Sequence, residues 1–206
     1  MSRFRSIRMD PRRLRRLRRL IAALVVAATA CGIGGCSMLT GSEPGVRTPG
    51  EAFDDQIIEH LAKKQIHDAD PALADANLVV VSHNGVVLIA GEVSREDLRA
   101  KAQSAVETLS RVRRIHNELE VTENAGLVDL SRDSWLTSRI KTKMMWHPGV
   151  DAGRINVTTH RRIVYLMGRV PRDQADGAVD AAQSVRGVEK IVKVFEYVET
   201  PVTSQP

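Results

Sequence analysis

Residues 155–170, INVTTHRRIVYLMGRV, match residues 78–93, LVVVSHNGVVLIAGEV, at a constant offset of 77. Leu78 meets Ile155, His83 meets His160, Gly91 meets Gly168 and Val93 meets Val170. Each copy reads as two strands around a tight turn, follows one helical pattern and precedes a second helical pattern and a last strand. A repeated supersecondary unit constrains a chain more than any other sequence feature. The offset shortens to 76 at the last strand, where Val112 meets Val188 and Ile115 meets Ile191, as a one-residue deletion in the preceding loop would produce. Each unit is only about 65–75 residues, so each buries a modest core and the two are expected to touch.

The first unit opens with Phe53, Ile57, Ile58 and Leu61 spaced as the buried face of a helix. Asp54 and Asp55 then fall in its first turn, where negative charge suits the helix dipole, and Asp55, Glu59 and Lys63 fall on its outward face. Asp70-Pro71 interrupts the helix. Asn84-Gly85 is a strong hairpin signal between two apolar runs. Leu98, Ala102, Ala105, Val106 and Leu109 form a second helical stripe, and Ile115, Asn117, Leu119 and Val121 alternate with polar residues as a half-buried strand. The second unit repeats the order with a helix at 135–145, the hairpin at 155–170, a stripe of Ala175, Ala178, Val179 and Ala182, and a strand at 191–198. The expected class is α+β: two tandem αββαβ domains, each a three-stranded sheet with two helices on one face. The segments are a leader (1–35), a tether (36–50), the first domain (51–123), a linker (124–132), the second domain (133–199) and a tail (200–206).

The formal charge of +5 is concentrated in the leader, where nine Arg stand against Asp10; this net +8 leaves −3 on the rest of the chain. An Arg-rich start, an apolar run from Leu20 to about Ala30 and small residues before a cysteine read as an export signal. The apolar run falls short of the roughly 20 residues a membrane span needs. Ile33-Gly34-Gly35-Cys36 resembles a bacterial lipobox, which makes Cys36 the expected lipidation site, with the new amino terminus also acylated after cleavage. Acyl chains anchor a protein without a transmembrane helix, at about 0.8 kcal/mol per buried methylene. Cys31, after Ala28-Thr29-Ala30, is a poorer match, and a Cys31–Cys36 disulfide is the other use of these thiols in an oxidising compartment. Ser37 after the cysteine points, by analogy with such lipoproteins, to the outer membrane.

The residues offer little for catalysis. His83 and His160 lack a neighbouring nucleophile, and their place beside a hairpin turn has a sufficient structural explanation. The six His form no H-E-x-x-H pair, and Gly91 and Gly168 stand without a phosphate-loop pattern, so no enzyme, metal or cofactor is expected. Nucleic acid is not an expected partner of an acidic, exported chain.

The lipobox, the tether and two αββαβ units together resemble the BON-domain family, over residues 53–199 and the lipobox. The resemblance is most specific in Asp133-Ser134-Trp135-Leu136-Thr137 and in Val157-Thr158-Thr159 with Leu166-Met167-Gly168. It implies a periplasmic protein anchored at the outer membrane, similar to two-BON lipoproteins of division sites and envelope stress, whose second domain binds anionic phospholipid and supports envelope integrity.

The residues bear on that implication independently. On a helical wheel, Leu136, Ile140 and Met144 form a core stripe, while Trp135, Arg139 and Trp146 fall on the far side with Lys143 at their edge. An indole beside cations suits a bilayer interface; the alternative is that Trp135 and Trp146 pack against the other domain. Residues 51–124 carry eight basic and fourteen acidic side chains, and residues 133–199 eleven and eight, so only the second unit would be drawn to an anionic surface. Arg161-Arg162 replaces Asn84-Gly85 at the hairpin tip and adds an exposed basic tip to the candidate lipid-binding residues. The competing function is an adaptor for an envelope assembly or peptidoglycan-associated protein partner.

Overall fold

The computed structural model describes residues 47–122 and 130–199. Cys31, Cys36 and most of the expected tether and linker lie outside the described residues.

Helix α1 (Pro49–Ala69) starts earlier than its apolar pattern suggests, because Thr48 and Glu51 form a reciprocal capping box and Pro49 occupies the first helical position. Asp70 ends it and caps the short α2 (Pro71–Ala74) by accepting from the Ala72 N–H at 3.0 Å. Strands β1 (Leu78–His83) and β2 (Val86–Val93) form an antiparallel hairpin, α3 (Glu96–Glu107) follows, and β3 (Arg114–Val121) pairs parallel to β2. The second unit repeats this path with α4 (Leu130–Met145), a 3-10 turn (Ala152–Arg154), β4 (Ile155–His160), β5 (Ile163–Val170), α5 (Arg172–Gln183) and β6 (Lys190–Tyr197). Two three-stranded sheets result, each with its hairpin's second strand at the centre, as the repeat requires. Gly91 and Gly168 have one job in both hairpins. A Cβ at either would stand 2.5 Å from a backbone carbonyl, of Asn77 or Arg154, so only glycine admits the chain entering the first strand.

The helix cores use one face of each sheet. In the first unit Ile58, Ala62 and Ile66 of α1 meet Leu98, Ala102 and Val106 of α3 over Val80, Val87 and Ile89. In the second, Leu136, Ile140 and Met144 of α4 meet Ala175, Ala178 and Ala182 over Val157, Val164 and Leu166. The expected buried face of α1 is therefore corrected. Phe53, Ile57 and Leu61 are exposed, and the buried positions are Asp55, Ile58, Ala62 and Ile66. These correspond to Asp133, Leu136, Ile140 and Met144 of α4 at an offset of 78, one residue longer than that of the hairpins.

The other face of each sheet is covered by the other sheet. Val86, Leu88 and Ala90 of β2 pack with Tyr165 and Met167 of β5 and Val194 of β6 in a third cluster. Strand alternation sends Val87 and Ile89 to the helices and Leu88 and Ala90 to the partner sheet. This explains why β2 is buried at every position and why residues 86–90 read as an unbroken apolar run. The layers run helix, sheet, sheet, helix, so α1 and α4 lie on opposite outer surfaces. Ion pairs rim the junction: Arg113 makes two bonds to Glu196, at 2.7 and 3.2 Å, and Arg161 pairs with the buried Glu92.

Candidate functional site

The outward face of α4 carries three of the six candidate lipid-binding residues, and a fourth follows its last residue. Its inward positions are fixed by the core, so the helical period leaves Trp135 half exposed and Arg139 and Lys143 exposed. The Arg139 guanidinium lies 5.7 Å from the centre of the Trp135 ring, a cation–π placement that keeps charge and indole together. Trp146 follows the last helical residue in a turn and is 82% exposed, beside an exposed Met145. Neither tryptophan belongs to the cluster between the sheets. Trp135 stands on an outer-layer helix and Trp146 just beyond its end, so neither is packed into the junction between the two domains.

Arg132, Trp135 and Arg186 line a shallow groove of about 470 Å³ with Ser131 and Gly187. Sequence reasoning missed Arg186. It lies beyond α5, some fifty residues from Trp135, and only the close approach of the α5–β6 loop to α4 brings them together; Gly187 makes that turn at φ 100°.

At the hairpin tip Arg161 pairs with Glu92 of the first domain, and Arg162, which stays exposed, pairs with Glu189 at 2.6 Å. Their backbone N–H groups donate to the buried carboxylate of Asp133 at 2.7 and 2.9 Å. The same arrangement holds the first hairpin, where Asp55 accepts from the N–H groups of Asn84 and Gly85 at 2.8 and 2.9 Å and from the Ser82 hydroxyl at 2.7 Å. Burial pushes the Asp55 carboxyl up, but these bonds and the Arg47 guanidinium at 2.8 Å outweigh it and hold the group below the usual aspartate value. Sequence analysis placed Asp55 on the surface. The signal that could have corrected it is Asp133, which opens the most family-specific segment and has its repeat counterpart in Asp55.

Among the described residues, no cluster of three or more His, Cys, Asp or Glu is arranged to hold a metal ion, and no helix is long and apolar enough to cross a membrane.

Two αββαβ units, each with an aspartate-clamped hairpin and one of them presenting a tryptophan-cation helix, define a tandem α+β repeat protein. The BON domain family matches residues 54–123 and 132–199, and the chain belongs to that family. It is 31% identical over 188 residues to the outer membrane lipoprotein DolP of Haemophilus influenzae, covering 90% of this chain and 97% of that one. It is also 32% identical over 153 residues to the 21 kDa hemolysin of Actinobacillus pleuropneumoniae, covering 74% of this chain and 79% of that one.

Proposed function

We propose that this protein is an outer-membrane lipoprotein, acylated at Cys36, whose second BON domain binds anionic phospholipid through the outward face of α4. The observation that carries the reading is the exposed Trp135 with Arg139 over its ring, on an outer layer of the domain with the basic balance. Lys143 adds a cation to that face and Trp146, just past the helix end, a second indole; Arg161 and Arg162 at the hairpin tip, each sharing its charge with a carboxylate, add less. Kinship with an outer membrane lipoprotein supports the location. The Trp135 ring contributes on the order of 1.5–3 kcal/mol on burial and each cation near an anionic leaflet about 1 kcal/mol. That supports weak, reversible docking, which a lipid anchor strengthens by raising local concentration. Flotation of residues 37–206 with vesicles tests it: the chain rises with phosphatidylglycerol vesicles and not with phosphatidylcholine vesicles, and Trp135→Ala abolishes the rise. Absence of flotation in the parent chain would instead favour a protein-binding adaptor.

A further inference from the structure

His83 ends β1 and His160 ends β4, at equivalent points of the repeat. His83 pairs with Val86 and His160 with Ile163, and side chains of directly paired residues share one face of a sheet. Val86 and Ile163 belong to the cluster between the sheets, so each histidine faces the other domain. Both are buried, at 6% and 4% exposure. His83 lines a crevice with Val86, Met167, Val194 and Glu196. His160 lines a cavity of about 380 Å³ with Glu92 and Glu120 of the first domain and Asp133, Arg161 and Tyr165 of its own. Nδ1 of His83 and Nε2 of His160 are buried with no hydrogen-bond partner among the described residues.

We propose that this histidine pair makes the packing of the two BON domains acid-sensitive: protonation of His83 and His160 separates the two sheets while each domain keeps its own fold. A buried imidazolium loses its hydration, and the unpartnered nitrogens show that little has been prepared to replace it. Once the sheets part, water solvates both rings, and the helix-side cores remain intact because they draw nothing from the shared cluster. Charged groups face both rings. Around His83 stand Arg47, then Asp55 and Glu51 of α1 and Glu196 of β6; around His160 stand Asp133 of α4 and Glu120 of β3. Glu92 and Arg161, also in the His160 cavity with Arg132, Arg162 and Glu189, are paired with each other. Burial outweighs the carboxylates, and both rings hold a proton less tightly than an ordinary histidine. The packed state therefore binds fewer protons than the separated one. Packing is at full strength above the ordinary histidine value of about 6.5 and weakens as pH falls below it, by up to about tenfold per pH unit for each ring. Glu196, held below its usual value by Arg113, stays ionised across this window.

Two methionines report separation and unfolding independently. Met167 is 1% exposed between the sheets, and Met144 is 1% exposed in the helix-side core of the same domain. Hydrogen peroxide oxidation of the full chain in detergent micelles, read by peptide mass, gives both rates. Between about pH 7.5 and 5.5 the Met167 rate should rise by up to about a hundredfold, about tenfold per histidine, while the Met144 rate stays level. His83→Gln and His160→Gln should each remove about half of the rise on a logarithmic scale, and the double variant nearly all of it. If the double variant does not fold, the single variants and the parent chain still decide. A flat Met167 rate, a Met144 rate rising in step with it, or a rise that survives both single changes in full would each overturn the proposal.

Discussion

Asn84 and Gly85 turn the first hairpin at φ of 51° and 72°, and Arg161 and Arg162 turn the second at 47° and 64°. The backbone path is the same, and its chemical cost differs. Asparagine and glycine are the residues that tolerate the left-handed region, whereas two arginines there oppose the local preference at roughly 1–2 kcal/mol each. The second domain accepts that strain where Arg161 crosses to a buried glutamate of the first. The outer helices differ in the same spirit. Ile57 occupies on α1 the position that Trp135 occupies on α4, and its exposed neighbours Phe53 and Leu61 are apolar, where α4 sets Arg139 beside the indole. The repeat thus fixes the scaffold, and the substitutions mark where each domain meets something outside its own core.

The largest expected effect tests the strain. Asp133→Ala leaves the Arg161 and Arg162 N–H groups without their carboxylate, which should cost about 3 kcal/mol of unfolding free energy by urea titration. Relaxing the turn in that background with Arg162→Gly, which spares the pair between Arg161 and the buried Glu92, should recover about 1–2 kcal/mol by removing one left-handed penalty. No recovery would mean that Asp133 offsets no strain. The first hairpin should answer the reverse change badly: Gly85→Ala places a Cβ 2.7 Å from the Arg111 carbonyl at a positive φ.

Acid sharpens the contrast from another side. Asp55 holds its proton less tightly in the fold than in the unfolded chain, so its contribution is complete above the ordinary aspartate value and is lost as pH falls through the depressed folded one. Asp55→Asn should flatten the acid limb of stability below about pH 4, measured by thermal midpoint against pH. An acid limb unchanged in this variant would show that the clamp does not depend on the carboxylate's charge.

The strand order, the hairpins and the two helix positions were legible because strand alternation and the Asn84-Gly85 turn leave few alternatives. The buried face of α1 was not. Its true core residues, Ile58, Ala62 and Ile66, include a small alanine, while the bulkier Phe53, Ile57 and Leu61 make an equally good stripe at helical spacing. Periodicity alone favours the larger side chains, and the deciding residue is Asp55, whose burial makes sense only once the turn it clamps is placed. The sheet-to-sheet junction was legible only as contact between small domains, since an apolar run such as residues 86–90 does not name what covers its second face. On α4, Trp135, Arg139 and Lys143 could be assigned to one surface because Leu136, Ile140 and Met144 fix the opposite one. Arg161 and Arg162 could not be assigned, because their partners Glu92 and Glu189 are brought to the tip by tertiary structure.

The helices give the next contrast. Trp135→Ala should lower binding of the chain to phosphatidylglycerol vesicles by at least about tenfold, consistent with the 1.5–3 kcal/mol of a buried aromatic, and leave the thermal midpoint within about a degree because the ring is outside the core. Ile57→Ala at the equivalent position should leave vesicle binding within about twofold, since the first domain's acidic balance keeps α1 from an anionic surface. Equal losses in the two variants would erase the distinction between the domains.

The smallest effect separates charge from apolar burial on α4. Arg139 lies over the Trp135 ring and is exposed, so in Arg139→Gln the indole remains available while one cation is removed from the surface. One cation near an anionic leaflet is worth about 1 kcal/mol, which corresponds to roughly a fivefold weaker association with phosphatidylglycerol vesicles. That interaction is screened over about 10 Å at 0.1 M salt and about 3 Å at 1 M, so the difference between parent and variant should disappear as salt rises. The Trp135→Ala difference rests on apolar area and should persist in the same titration. If Arg139→Gln instead loses as much as Trp135→Ala at every salt concentration, the guanidinium acts mainly by holding the indole in place, and α4 recognises the bilayer as one stacked unit rather than through two independent contributions.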